Sequence, residues 1–413
     1  MSTARKVRLL TVGTGSSQAI NLAGLVLLSR YYDPSAFGTF ATAVALATIL
    51  GMIVSLRLEM AILKIARDEI ADIALHTVIS VGLALLLVLC VSIWGVLLAI
   101  GSELSDDMFM VTLLAAGRLA QNSCAFAQNR DERYRKLVAV EVARPLIMVS
   151  AAFAFRSLNG NGLILGAALA SVLVFTYLVF TELRMSLILR LIRTPRLACA
   201  WIRRNRDFPK YSAPAVLVNS IAAQAPVFLL ISLYGASAAG LYSMVNRMVR
   251  APIGIISGAI NRVYLQTVSK RQNNRLPVTG FTRQLIYKQV LTFSLLSPMI
   301  AGILYFDVIP TVLGSKWADV ENIFVLLLPM MAISFVARSV AGFGVLGYNR
   351  IGLVYQVVLL SVVVLSIGLA YLAGASSQVA IGFLSFGLTL VYFGQLITTY
   401  RIVRSIDRSG KTK

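Results

Sequence analysis

Arg118, Arg144, Arg247, Arg250 and Arg338 lie inside long apolar stretches rather than between them. A cation at the centre of a membrane helix costs about 2.5 to 3.5 kcal/mol on insertion scales, so each needs water, a protein interior or an anionic partner. At 100° per helical residue, Ser243, Arg247, Arg250, Gly254, Ser257 and Asn261 fall within an arc of about 80°. Arg118, Gln121, Asn122, Ala125, Gln128 and Asn129 occupy an arc of about 120° on a second helix. Thr11, Thr14, Gln18 and Asn21 make a third stripe, and Ser334, Arg338 and Gly342 a fourth. Polar stripes can simply glue membrane helices together. Here the arginines outnumber the acids that could neutralise them. Guanidinium stays charged when buried, so the stripes read as the lining of a cationic cavity.

The remaining chemistry is sparse. Glu141, three residues before Arg144, is expected to pair with it. Arg57 and Glu59 are two residues apart, which on a continuous helix places them about 200° apart and forbids one local site. Glu59 aligns with the Asn261 stripe and is a candidate for coupling an ion. Arg57 either lines a cavity or faces a neighbour or snorkels to the inner headgroups, and for Arg30, which ends the first helix at the outer surface, snorkelling is the alternative to a site role. Cys90, Cys124 and Cys199 have no metal or disulfide spacing, His76 reads as a solvated loop residue, and no cofactor or metal is implied.

These side chains must be positioned by membrane helices. The chain of 413 residues has 38 Lys+Arg against 17 Asp+Glu, a net charge of +21, yet only 13% of residues are charged and 58% are hydrophobic. With a mean hydropathy of +0.81, a water-soluble fold is excluded. Residues 77–102, 211–246 and 351–400 contain no charge at all, and about 20 apolar residues span a bilayer. The expected fold is an all-α polytopic membrane protein with twelve transmembrane helices, starting near residues 9, 37, 77, 108, 137, 160, 211, 238, 284, 319, 351 and 378. Turns are expected at Gly235-Ala-Ser237 and Gly374-Ala-Ser-Ser-Gln378. The third, sixth, ninth, eleventh and twelfth helices lack central charges and read as lipid-facing scaffold.

Thirty Lys and Arg fall in one alternating set of segments and three, Arg30, Arg156 and Lys316, in the other. The positive-inside rule then puts both termini in the cytoplasm, and the first apolar stretch reads as a retained span rather than a cleaved signal. The excess charge is expected to meet anionic membrane lipids, not nucleic acid. The organisation expected is a six-helix lobe over 1–190, a basic cytoplasmic linker over 191–210, a second lobe over 211–405 and a tail over 406–413. Shifting the first half by 202 residues lays Tyr32–Phe40 on Tyr234–Tyr242 with four of nine positions identical. Six helices per half make the repeats parallel, related by a pseudo-twofold along the membrane normal.

The segments Leu28-Ser-Arg-Tyr-Tyr-Asp-Pro-Ser-Ala-Phe-Gly38 and Ser55-Leu-Arg-Leu-Glu-Met-Ala-Ile-Leu63 resemble those of the bacterial lipid-linked oligosaccharide flippases. Gly235-Ala-Ser-Ala-Ala-Gly-Leu-Tyr242 and the stretch from Lys316-Trp to Gly347-Tyr-Asn349 are similar too. That family shares a superfamily with lipid II flippases and multidrug and toxin extrusion antiporters. The resemblance implies two lobes around a cationic cavity that carries a polyprenyl-pyrophosphate-linked sugar unit across the bacterial inner membrane by alternating access. It implies service to O-antigen or exopolysaccharide synthesis, with glycosyltransferases and a polysaccharide polymerase as functional partners. By position it nominates Arg30 and Arg57 beside the stripe residues. A multidrug or cation antiporter is the nearest alternative, but it would want buried carboxylates where this chain has arginines. A membrane polysaccharide polymerase would need acid–base groups on a substantial outer loop, and the outer loops here are short.

Overall fold

In hydrocarbon every backbone N–H and C=O must pair within its own segment, which makes apolar stretches of this length helical. A computed structural model describes residues 3–63, 65, 67–101, 107–158, 161–183, 195–274, 276–343, 346 and 348–409. Twelve described helices are 20 residues or longer. They are α1 (Thr3–Ser29), α2 (Pro34–Val54), α3 (Asp68–Ala99), α4 (Met108–Arg130), α5 (Tyr134–Ala154) and α6 (Asn161–Glu182), then α7 (Ala213–Tyr234), α8 (Ala236–Asn273), α9 (Thr279–Tyr305), α10 (Val320–Ser339), α11 (Asn349–Leu372) and α12 (Ser377–Ser409). Eight are apolar and long enough to cross a membrane, so the chain is a multi-pass membrane protein. The four that fall short are α1, α4, α8 and α9, and the first three of these carry three of the four polar stripes. Gly235 and Gly374 make the expected turns with positive φ, 87° and 69°, where a side chain would be strained.

Several helices begin earlier than apolarity alone suggests, because charged residues extend them. Asp68 and Glu69 occupy the first turn of α3, where acids favour the positive end of the helix dipole. His76 is therefore not a solvated loop residue. It is buried inside α3, with Nδ1 2.6 Å from the Asp72 carbonyl oxygen.

The chain forms two compact units, Met1–Tyr32 with Thr39–Ile221, and Asp33–Gly38 with Ala222–Lys413. In the first, α5 packs on α1 and α6, while α4 packs on α3 and α6. In the second, α12 packs on α10 and α11, while α10 also packs on α8 and α9. The pairs α5/α6, α4/α6 and α3/α4 thus recur six helices later. The lipid-facing reading holds for α3 and α11, of whose apolar windows only 17% is buried. It fails for α6 and α12, at 50% and 44%, because each is wedged between two neighbours.

At one end of the first unit the Glu182 side chain, 5% exposed, binds Arg133 at 3.1 Å and Lys136 at 3.4 Å. Gln128 donates to the same carboxylate at 3.1 Å. Arg130 bridges Asp68 and Asp131, each at 2.6 Å. These bonds pin the ends of α3, α4, α5 and α6 together, and they give Gln128 of the α4 stripe a structural task.

Within the second unit, Asp33–Gly38 is seated by three features. Phe37 meets the fully buried Trp317 edge-on at 5.1 Å, and Asp33 pairs with Lys316 at 2.8 Å. Gly38 lies against the backbone of Ala236, and Gly240 against the backbone of Pro34, leaving no room for a Cβ at either glycine. Further along the unit, Asp407 of α12 accepts the backbone N–H groups of Val278 and Thr279 at 3.0 and 2.8 Å and so caps α9.

Candidate functional site

Arg118 projects from α4 at the level where Gly51 of α2 gives it space, with 3.0 Å between the Arg118 Cβ and the place a Gly51 Cβ would occupy. One turn along, the Gln121 carbonyl accepts a 2.7 Å bond from Arg144 Nη1 of α5. Arg118 is within electrostatic range of Arg144. Glu141 does not neutralise Arg144 as expected. Its carboxylate accepts from Thr14 at 3.2 Å, and its carbonyl from Ser17 at 2.8 Å. The close packing of α5 on α1 turns Glu141 toward α1, so part of the α1 stripe is helix glue. Arg144 is left with one neutral amide and Arg118 with none, and neither bonds a carboxylate among the described residues. Asn122 and Gln18 are half-buried on the same two stripes.

The second cluster corrects the helical geometry expected of Arg57 and Glu59. The backbone leaves α2 after Val54, and Leu56 and Arg57 take left-handed φ values of 50° and 57°. The helix is broken, the 200° separation no longer applies, and Arg57 Nη1 reaches Glu59 Oε1 at 3.2 Å. Glu59 is 2% exposed, and its Oε2 and the Arg57 Nε have no hydrogen-bond partner among the described residues. Burial raises the Glu59 carboxyl above the ordinary carboxylate range, against the opposing effects of its own backbone, Arg57 and Ser55.

In the second unit, Arg338 of α10 points its Nη2 at the Tyr392 hydroxyl of α12, 3.5 Å away, and lies within electrostatic range of Tyr355 on α11. Asn261, nominated as a ligand-binding residue, donates to the Ser339 and Ala341 carbonyls at 3.4 and 2.6 Å. It satisfies backbone groups freed where α10 ends. Arg247 is half-buried on α8, and the Arg250 side chain lies outside the described positions. Arg30 is exposed just beyond the end of α1.

Residues 27–322 match the family model described as polysaccharide biosynthesis protein, well over half of the chain. The chain belongs to the polysaccharide biosynthesis protein family. A search of the curated proteins finds no match. Among solved structures, this family member shares its fold with the lipid II flippase MurJ in an inward closed conformation, with a TM-score of 0.71 at 13% identity over 97% of this chain and 90% of that one. A superfamily transporter from Pyrococcus furiosus, whose binding pocket is described as having reversed polarity, gives 0.56 at 13% identity over 99% and 96%. An outward-facing multidrug resistance MATE transporter gives 0.54 at 14% identity, again over 99% and 96%. The two-lobe fold of that superfamily is therefore the fold of this chain.

Within this family member, the sequence reading missed Arg144 as an unneutralised cation, because helical spacing offered Glu141 as its partner. It also missed Tyr355 and Tyr392, which sit in the uncharged run 351–400. The available signal was the tyrosine hydroxyl, which seeks a polar partner when buried.

Proposed function

We propose that this protein is a flippase that moves polyprenyl-pyrophosphate-linked oligosaccharide repeat units from the cytoplasmic to the periplasmic face of the bacterial inner membrane. The observation that carries this reading is the pair Arg118 and Arg144, within electrostatic range of each other and bonded to no acid among the described residues. Such a pair is costly unless an anion completes it, and a pyrophosphate offers oxygens to both forks. Family membership supports a polysaccharide pathway, and the MurJ-like fold supports a lipid carrier as the moving part. In this reading both termini are cytoplasmic, glycosyltransferases load the carrier inside, and a polymerase takes the sugar outside. Arg57 and Arg30 are further cationic candidates in the first unit and Arg338, Arg247 and Arg250 in the second, and Glu59 is the candidate for ion coupling.

An Arg118→Ala, Arg144→Ala double variant should stop polymer export and strand lipid-linked oligosaccharide on the inner leaflet, with membrane abundance near normal. Lysine at both positions should restore export only in part, since it supplies charge without the planar fork. Normal export from the alanine variant would remove the basis of the proposal.

A further inference from the structure

The segment between α6 and α7 holds a ten-residue helix, Pro195–Arg204, that the transport reading leaves without a task. On helical spacing Arg196, Cys199, Ala200, Arg203 and Arg204 share an arc of about 140°, and Ala198, Trp201 and Ile202 lie opposite. The apolar side is already occupied. Trp201, 8% exposed, joins the buried cluster of Leu58, Ile62, Leu75 and Leu178, with Ile202 and Phe208 packed against it. The helix itself rests on α3. Its basic side is unshielded, with Arg196, Arg203, Arg204 and the following Arg206 all exposed. The chain then passes through one π turn, Phe208–Ser212, directly into α7. That connection leaves only a few residues between the basic side and the start of α7. Lys210 lies 5.0 Å from the ring of Tyr211, which is 62% exposed, a cation and an amphipathic ring of the kind found at headgroup depth.

We infer that the basic face of Pro195–Arg204 binds the headgroups of anionic phospholipids in the cytoplasmic leaflet, with Trp201 clamping the helix to the first unit. From Arg196 to Tyr211 the segment carries five basic residues against Asp207, a local net charge of +4. Zwitterionic headgroups offer no matching charge, and anionic ones do. Leu56, at the strained break in α2, packs against the same cluster as Trp201, so lipid charge is delivered next to Arg57 and Glu59. The inference rests on the proposed cytoplasmic placement of this loop.

Cys199, exposed on the basic face, is a native labelling site. With Cys90 and Cys124 replaced by Ala, the full-length protein would carry an environment-sensitive fluorophore at Cys199. It would be reconstituted into vesicles of phosphatidylcholine alone or mixed with phosphatidylglycerol. Both leaflets have one composition and the quencher is enclosed as well as added outside, so insertion direction is immaterial. The fluorophore should be shielded from an aqueous quencher only when phosphatidylglycerol is present, and high salt should abolish the shielding. In the Arg196→Gln, Arg203→Gln, Arg204→Gln variant the phosphatidylglycerol needed for half-maximal shielding should rise at least about tenfold. Equal quenching in both vesicle types, or undiminished shielding of the variant, overturns the inference. No substrate enters this measurement, so its failure leaves the flippase reading standing, and failure of the export test leaves this one standing.

Discussion

Leu56 and Arg57 are consecutive non-glycine residues in the left-handed region, a conformation that costs about 1 to 2 kcal/mol each. What the break makes possible is the Arg57–Glu59 pair, with side-chain exposures of 22% and 3%. Removing one member of a buried pair leaves the other charge unmatched, whereas replacing both with apolar residues of similar size is often harmless. Glu59→Ala should therefore lower stability by about 2 to 3 kcal/mol, less than a fully buried pair because Arg57 is partly hydrated. The double change Arg57→Met, Glu59→Leu should recover most of it, read as the thermal unfolding midpoint of the purified protein. If recovery of stability comes without recovery of export, the pair acts in transport. An unstable double variant would mean that the break itself depends on the charges. Nothing in the residue types announces this turn, since neither position is Gly or Asn. The sequence displays Arg57 and Glu59 but not the geometry that joins them.

At the scale of helices, the apolar stretches and their punctuation were readable because bilayer thickness sets their length and glycines set their turns. The Gly235 and Gly374 turns fall where expected, and long described helices occupy all twelve expected regions. Facing was harder. A run of apolar residues suits lipid and protein interior alike, which is why α6 and α12 read as scaffold although each is wedged between neighbours. Partners distant in the chain are equally invisible. Asp407 caps α9 from a helix that begins about a hundred residues later, and its Oδ2 also accepts the Thr279 hydroxyl at 2.6 Å. Loss of an N-terminal cap costs about 0.5 to 2 kcal/mol. Asp407→Ala should loosen the first turn of α9, seen as faster amide exchange at Val278 and Thr279, with little change elsewhere. Unaltered exchange at those two amides would show that water serves as well as the carboxylate.

For the molecule as a whole, the charge partition yields a topology that reporter fusions can test. Periplasm-active reporters placed after Gly235 and Ser376 should be active, and those after Arg133 and Asn274 silent. Activity in the second pair would reverse the assignment of faces. The internal repeat was only faintly legible, since four matches in nine small or aromatic positions arise readily by chance. Packing strengthens it at the turn between the first two helices of each half. Gly38 meets Ala236 and Gly240 meets Pro34, and since 240 − 38 and 236 − 34 both equal 202, the two contacts exchange under the repeat. For the genetics of the protein this means that one steric rule is written at two distant codons. In saturation mutagenesis scored by export, the substitution profiles of positions 38 and 240 should be near copies, with glycine alone tolerated and alanine already depleted. No exchange at one should suppress a defect at the other, because each glycine answers to backbone, which cannot be mutated out of the way.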